Sequence, residues 1–230
     1  MKNLVDERPT RELHGRLAWT RAFVDEADLA GRDVLDIGCG FGWFELLALD
    51  RGASSITGVE PAEADLATVR RFFDDQRVTF RVGSAVDLPF QDATFDTVVC
   101  WEVLEHLPRG SELRAFREIH RVLRREGVLY LSTPHASPLA TALDPAWWLI
   151  GHRHYSRTAV ASLATSAGFV VERLELRGRG WELAQLVNLY VSKWVLRRRP
   201  LFAAAIDRRL DAEWERPGFA NVFLRARKRS

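Results

Sequence analysis

The sequence predicts an α/β fold: a Rossmann-like, seven-stranded, mostly parallel sheet with helices on both faces and a helical insertion before the last strand. Three observations predict it. Short β-branched runs alternate with amphipathic stretches, and parallel strands need crossover helices between them. A glycine-rich turn, Gly38-Cys-Gly-Phe-Gly42, follows the first such run, where a doubly wound sheet opens its ligand crevice. The 230 residues are 47% hydrophobic, enough for the core of one domain of ordinary size.

Taken in order, Leu13 to Ala27 has helical periodicity, and Gly31-Arg-Asp33 leads into VLDIG, a run suited to a fully buried strand. Trp43 to Leu49 reads as helix and Ser55 to Val59 as the second strand. Pro61 opens a helix reaching about Phe73, since a first helical turn does not need the missing N–H. Val78 to Val82 is the third strand, Phe95 to Trp101 the fourth, Ser111 to Leu123 a helix, and Gly127 to Ser132 the fifth strand. After Pro134 the composition changes, and residues 135–156 (HASPLATALDPAWWLIGHRHYS) predict a loop or short-helix excursion over one end of the sheet. Arg157 to Ala167 is a helix closed by Gly168 as its left-handed cap, and Phe169 to Leu176 is the sixth strand. Trp181 to Leu210 reads as one or two helices broken at Pro200, and Ala220 to Lys228 alternates like a last strand. No internal repeat or low-complexity tract interrupts the pattern.

Charge excludes some partners. Thirty-three basic against 31 acidic residues give a net +2, which supplies no general attraction to nucleic acid or anionic lipid, so any such preference has to be local. Cys39 and Cys100 lack metal-type spacing and sit in apolar runs, as reduced buried thiols of a cytoplasmic protein would. The first residues lack the apolar core of a signal peptide, and no stretch approaches a membrane span, so membrane contact is expected to be peripheral at most.

The glycine turn carries the first chemical signal. Val34-Leu-Asp-Ile-Gly-Cys-Gly-Phe-Gly42 is GxGxG preceded by Asp36, not the GxGxxG of a dinucleotide site, and no phosphate-loop lysine follows. A carboxylate at this turn is a poor neighbour for pyrophosphate and a good one for a cationic aminoacyl group, which points to S-adenosylmethionine. With that, the chain resembles the class I S-adenosylmethionine-dependent methyltransferases over roughly residues 30–176 and again at the last strand. The resemblance rests on VLDIGCGFG, ITGVE, VGSAVDLPF, FDTVVCWEVLEHL, HRVLRREG and VLYLSTPH. It implies that Asp36, Gly38, Cys39 and Gly40 line the methionine half of the cofactor. Glu60, with Pro61 after it, would hold the ribose hydroxyls, and a carboxylate can accept both hydrogen bonds of a cis-diol. Ser84, Ala85 and Val86 would face the adenine, although Ser84 stands where the family usually has aspartate. Trp101 would border the same crevice. The implied organisation is a single domain over 1–230, with an N-terminal helical segment (1–30), a cofactor-binding core (31–135), and substrate-side lid or insertion segments (136–156 and 178–217).

WEVLEHLPR, at the end of the fourth strand, carries the second signal. In a doubly wound sheet this end faces the glycine turn, and residues three and four apart share a helical face, so Glu102, Glu105 and His106 can converge. Two chemistries are open. His106, with Glu105 beside it, can act as general base for a hydroxyl. Alternatively the group holds a divalent cation (Mg, Mn, Fe or Zn) together with a histidine from Gly151-His-Arg-His-Tyr155. The cluster resembles those of small-RNA ribose methyltransferases and ubiquinone-pathway O-methyltransferases, and that resemblance implies Glu102, Glu105, His106 and His154 as ligands of a metal that lowers a hydroxyl's pKa. A third reading leaves Glu105 only a positioning role.

The expected reaction is O-methylation of a diol-bearing small molecule, sugar or glycolipid. The alternatives are an RNA ribose methyltransferase, disfavoured by the near-neutral charge, and an inactive cofactor-binding partner subunit. Trp43, Trp101, Trp147, Trp148 and Trp181 are expected at or above the crevice, where indoles stack on acceptors. WELAQLVNLYVSKWVLRRR puts Ala184, Val187, Tyr190 or Val191, and Trp194 on one helical face before Arg197 to Arg199. That suits a lid, a dimer face, a membrane surface or an anionic acceptor, so the oligomer is expected to be monomer or homodimer. Arg16 or His14 could reach the cofactor or acceptor from the N-terminal segment.

Overall fold

The computed structural model describes residues 8–192, 196–197 and 203–229. Seven strands form one sheet in the order β3-β2-β1-β4-β5-β7-β6. They are β1 (Asp33–Ile37), β2 (Ser55–Glu60), β3 (Val78–Val82), β4 (Phe95–Trp101), β5 (Leu123–Pro134), β6 (Phe169–Arg177) and β7 (Asn221–Lys228). The first five run parallel, and β7 enters antiparallel between β5 and β6. The chain reverses its order at β1, whose neighbours are β2 and β4, so a crevice opens beyond the carboxyl ends of these strands.

Burial on both faces explains why the central strands are near-continuous apolar runs. On one face Leu35, Ile37, Val98 and Cys100 pack with Phe116, Ile119 and Val122 of α4 (Glu112–Val122) and Val160 and Ala164 of α7 (Arg157–Ser166). On the other, Val34, Val99, Trp101 and Tyr130 pack with Phe23 of α1 (Arg16–Phe23), Phe44 and Leu47 of α2 (Trp43–Asp50), and Leu210 and Trp214 of α9 (Ala203–Trp214). The remaining helices are α3 (Glu63–Val69), α5 (Pro138–Leu143), α6 (Pro145–Ile150) and α8 (Gly180–Tyr190).

Several bounds depart from the sequence expectation, each for a local reason. The first helix ends at Phe23 instead of Ala27, because Asp25 turns extended and donates its N–H to the Tyr130 hydroxyl, which in turn donates to Asp28. β5 begins at Leu123, directly after α4, since Leu123 pairs with Phe95 and the intervening turn is absorbed within the strand, with Glu126 at φ 61°. The helix after Pro61 starts at Glu63. The excursion after Pro134 holds two short helices, capped by Ser137 and Asp144 accepting from the Ala140 and Ala146 N–H groups. The insertion before β7 contains α8 and α9; Trp194, Arg198, Arg199 and Pro200 lie outside the described residues.

Candidate active site

The glycine turn is folded tightly beneath the crevice. Gly38 donates its N–H to the Val59 carbonyl at 2.8 Å, tying the turn to β2. Gly42 has φ 80°, and a Cβ there would lie 2.6 Å from Phe73 and 2.7 Å from Val69, so neither backbone angle nor packing admits another residue. At Gly40, by contrast, a Cβ would meet nothing within 4 Å, which leaves the turn open on its crevice side. Glu60, at the end of β2, accepts the Gly40 N–H at 2.6 Å. Asp36 is buried, and one of its carboxylate oxygens has no partner. Burial, then the Glu60 charge, raises its carboxyl well above the usual range. A buried acid with an unpartnered oxygen, beside a half-open turn and a second carboxylate at the end of the next strand, is a set of groups that a cationic aminoacyl nucleoside would complete. S-adenosylmethionine fits it.

The other cofactor-side residues divide. Ser84 lies in a tight turn, receiving the Asp87 N–H at its carbonyl, with Ala85 buried and Val86 half-buried beyond β3; Pro61 is exposed at the end of β2. Cys39 and Cys100 are buried free thiols, both held protonated by burial. Trp101 does not border an open crevice: its ring packs among Phe44, Tyr130 and Phe223. The residue type misled here, because β4 is buried on both faces and alternation sends position 101 into the aromatic core.

At the end of β4 the backbone makes an unusual turn. Glu102 has φ 54°, a left-handed conformation costing a side-chain-bearing residue roughly 1–2 kcal/mol. It is held there from three sides: its N–H donates to Ser132 O at 3.0 Å, and its carboxylate accepts from the Ser132 hydroxyl and from Arg16, both at 2.5 Å. Arg16 comes from α1, more than eighty positions away in sequence. Burial works against its charge, yet Glu102, Glu182 and Glu105 outweigh that and raise its pKa.

The turn delivers Leu104–His106 as one helical turn into a cavity of about 230 Å³, lined among others by Arg16, Glu105, His106, His152, His154 and Tyr190. Glu105 is 3% exposed; one oxygen accepts the Thr133 hydroxyl at 3.0 Å and the other has no partner. Burial, then Glu102, raises its pKa well above the ordinary carboxyl value. His106 Nε2 lies 3.2 Å from His152 Nε2, and burial, then His152, lowers the His106 pKa. Ligand atoms of Glu105, His106 and His152 all fall within 4.8 Å of one another, a spacing that suits a divalent cation.

The ligand set implied by the resemblance is therefore not the one brought together. His154 is turned away, with Nε2 on Asp144 at 2.8 Å and Nδ1 on the Thr141 hydroxyl at 2.9 Å. Glu102 is occupied by Arg16 and Ser132. His152 stands in the cluster instead, its Nδ1 leaning on Asp144 at 3.5 Å while Nε2 faces His106, the carboxylate–histidine arrangement that would fix a ligand's lone pair. Although burial opposes it, hydrogen bonds from His152 and His154 hold the Asp144 carboxyl far below its ordinary value. HxH spacing could not say which histidine faces inward; the αL cap at Gly151, φ 72°, decides it. Glu182 of α8, its pKa raised by burial and its carboxylate accepting the Trp214 indole N–H at 3.1 Å, carries no local sequence signal, because only the packing of α8 and α9 brings it to the cavity wall.

Comparison with known proteins agrees with the motifs. Residues 35–131 match the family described as methyltransferase domain. The chain is 36% identical over 143 residues to a Mycolicibacterium smegmatis protein named "Probable S-adenosylmethionine-dependent methyltransferase", covering 62% of this chain and 54% of that one. It is 38% identical over 126 residues to the ubiquinone biosynthesis O-methyltransferase of Pseudomonas aeruginosa, covering 51% of each. The chain thus spans about half the length of these relatives. A Mesorhizobium loti S-adenosylmethionine-dependent methyltransferase superposes with a TM-score of 0.64 at 21% identity, covering 92% of this chain and 96% of that one. The [4+2]-cyclase SpnF superposes with a TM-score of 0.67 at 22% identity, covering 96% and 89%. At such identities the superpositions show the fold alone, and the cyclase shows that this fold does not fix the reaction. Residues 35–131 match a methyltransferase domain, and the chain resembles the class I S-adenosylmethionine-dependent enzymes in sequence over that stretch and in fold.

Proposed function

We propose that the chain transfers a methyl group from S-adenosylmethionine to a hydroxyl of a diol-bearing small molecule, sugar or glycolipid, and that Glu105, His106 and His152 manage the hydroxyl's proton. The observation carrying this reading is the convergence of these three side chains at the end of β4, across the sheet's switch point from Asp36 and Glu60. The name of the Pseudomonas relative, an O-methyltransferase, supports hydroxyl as the acceptor group. The cofactor supplies an electrophilic methyl on a sulfonium. Asp36 would balance its positive charge and Glu60 would hold its ribose. His106 would take the proton of the acceptor hydroxyl as the methyl is transferred. Its lowered pKa keeps the imidazole neutral, and therefore a competent base, at physiological pH.

A divalent cation fits the same three residues, since Glu105 keeps one buried oxygen without a partner and Asp144 orients His152. Held there, it would lower the pKa of a diol hydroxyl. The metal-free base is favoured by a different detail, the His106–His152 approach of 3.2 Å, which gives the accepted proton a second imidazole to pass to. Elemental analysis and turnover with and without chelator, in wild type and in His106→Ala, His152→Ala and His154→Ala, test both. Loss of about 10²-fold or more in His106→Ala and His152→Ala is expected. Chelator abolishes turnover if the cation is present. Full turnover in chelator removes the cation, and full turnover in His106→Ala removes the base as well.

A further inference from the structure

We propose that the exposed apolar face built by α5, α6 and α8 beside the cavity docks on an anionic phospholipid bilayer. Five large apolar side chains of α5 and α6 are exposed to solvent: Leu139 (51% exposed), Leu143 (44%), Trp147 (38%), Trp148 (71%) and Leu149 (64%). Both short helices pack against α8, which adds exposed Val187 and, just past its end, Val191. Large apolar side chains gathered in solvent on helices that pack together mark an interaction surface, and indole is the side chain that favours the boundary between water and lipid.

Charge selects the occupant. In residues 136–151 the one ionisable side chain is Asp144, which is buried against His152 and His154. From Leu183 to Ile206 the sequence contains Lys193, Arg197, Arg198 and Arg199 and neither aspartate nor glutamate. Arg197 is exposed. A stretch of chain that continues the apolar helix with four basic residues and no acid matches a bilayer with negative headgroups, where each nearby basic residue adds attraction. The chain-wide charge of +2 hides this, because the acids lie elsewhere. The same helices line the cavity through Ala140, Ala146, Leu183 and Leu186, so a docked protein receives its acceptor from the lipid side. That last consequence alone rests on the methyl-transfer reading; the docking does not.

The test is co-sedimentation of the full chain, without cofactor or acceptor, with vesicles of phosphatidylcholine and with vesicles of equal parts phosphatidylcholine and phosphatidylglycerol. Binding to the mixed vesicles, weakened by salt, is expected. W148S/L149S lowers the partition coefficient about tenfold or more, and Arg197→Gln about fivefold. All three side chains are exposed, so circular dichroism and thermal unfolding stay as in wild type. Sedimentation velocity runs alongside. Absent binding to the mixed vesicles, W148S/L149S binding as well as wild type, or a dimer that W148S/L149S dissolves without lipid would each overturn the proposal, the last identifying a second copy of the chain as the occupant.

Discussion

Glu45 offers a test of the electrostatics beneath the glycine turn. It stands in the first turn of α2 with its side chain fully buried against Gly58 and Cys39, and neither carboxylate oxygen has a partner. Burial, then the Asp36 charge, raises its pKa well above the ordinary value. The folded protein thus keeps a proton that the unfolded chain releases near pH 4.5. A raised folded-state pKa means stability is fully present below the unfolded pKa and falls as pH rises toward the folded one, at up to about 1.4 kcal/mol per pH unit. Glu45→Gln keeps the shape and removes the titration. Below about pH 4.5 the two proteins should lie within about 1 kcal/mol of each other, because a neutral acid and an amide leave similar unmet hydrogen bonds. Above pH 4.5 wild type should lose stability relative to the variant at up to about 1.4 kcal/mol per pH unit, then level off above the folded pKa. In a domain of this size each such unit is about 3–6 °C in Tm. Chemical denaturation across the pH series, without cofactor, measures it. A difference that stays flat from pH 4.5 to 8 would show that Glu45 finds a counter-charge or water and would refute the reasoning.

Asp36→Asn should weaken S-adenosylmethionine binding about 10- to 100-fold by removing a charge-assisted contact, and demethylated cofactor, which lacks the sulfonium charge, by less. Because the free Asp36 pKa is raised and a cation favours the ionised form, calorimetric affinity for the cofactor should rise with pH in wild type and be flatter in the variant. Gly42→Ala combines φ 80° with clashes against Phe73 and Val69, and should cost about 2–4 kcal/mol in denaturant titration, with cofactor affinity falling too. Tyr130→Phe removes the hydroxyl that donates to Asp28 and accepts from Arg225 at 2.9 Å and from the Asp25 N–H, a buried junction. A loss of about 2–3 kcal/mol is expected, with turnover per folded molecule unchanged.

The sequence by itself determined the sheet, its switch point and which residues stand at the strand ends beside the glycine turn. Alternating strand and helix periods are local properties, and Asp36, Gly38, Gly40 and Glu60 sit on the strand ends whose register the pattern fixes, with Asp36 opposite Gly58. It also placed Glu105 and His106 together, since they are chain neighbours on one turn. Tertiary structure alone decided the rest. That His152 and not His154 completes the cluster depends on the αL cap of α6 and on Asp144 accepting from both rings. That Arg16 restrains Glu102, and that Glu182 walls the cavity, depends on α1 and α8 meeting across long stretches of chain. Trp101 belongs to the core for the same reason: which face of a doubly buried strand a residue occupies is readable, but what covers that face is set by distant helices whose packing no local pattern encodes.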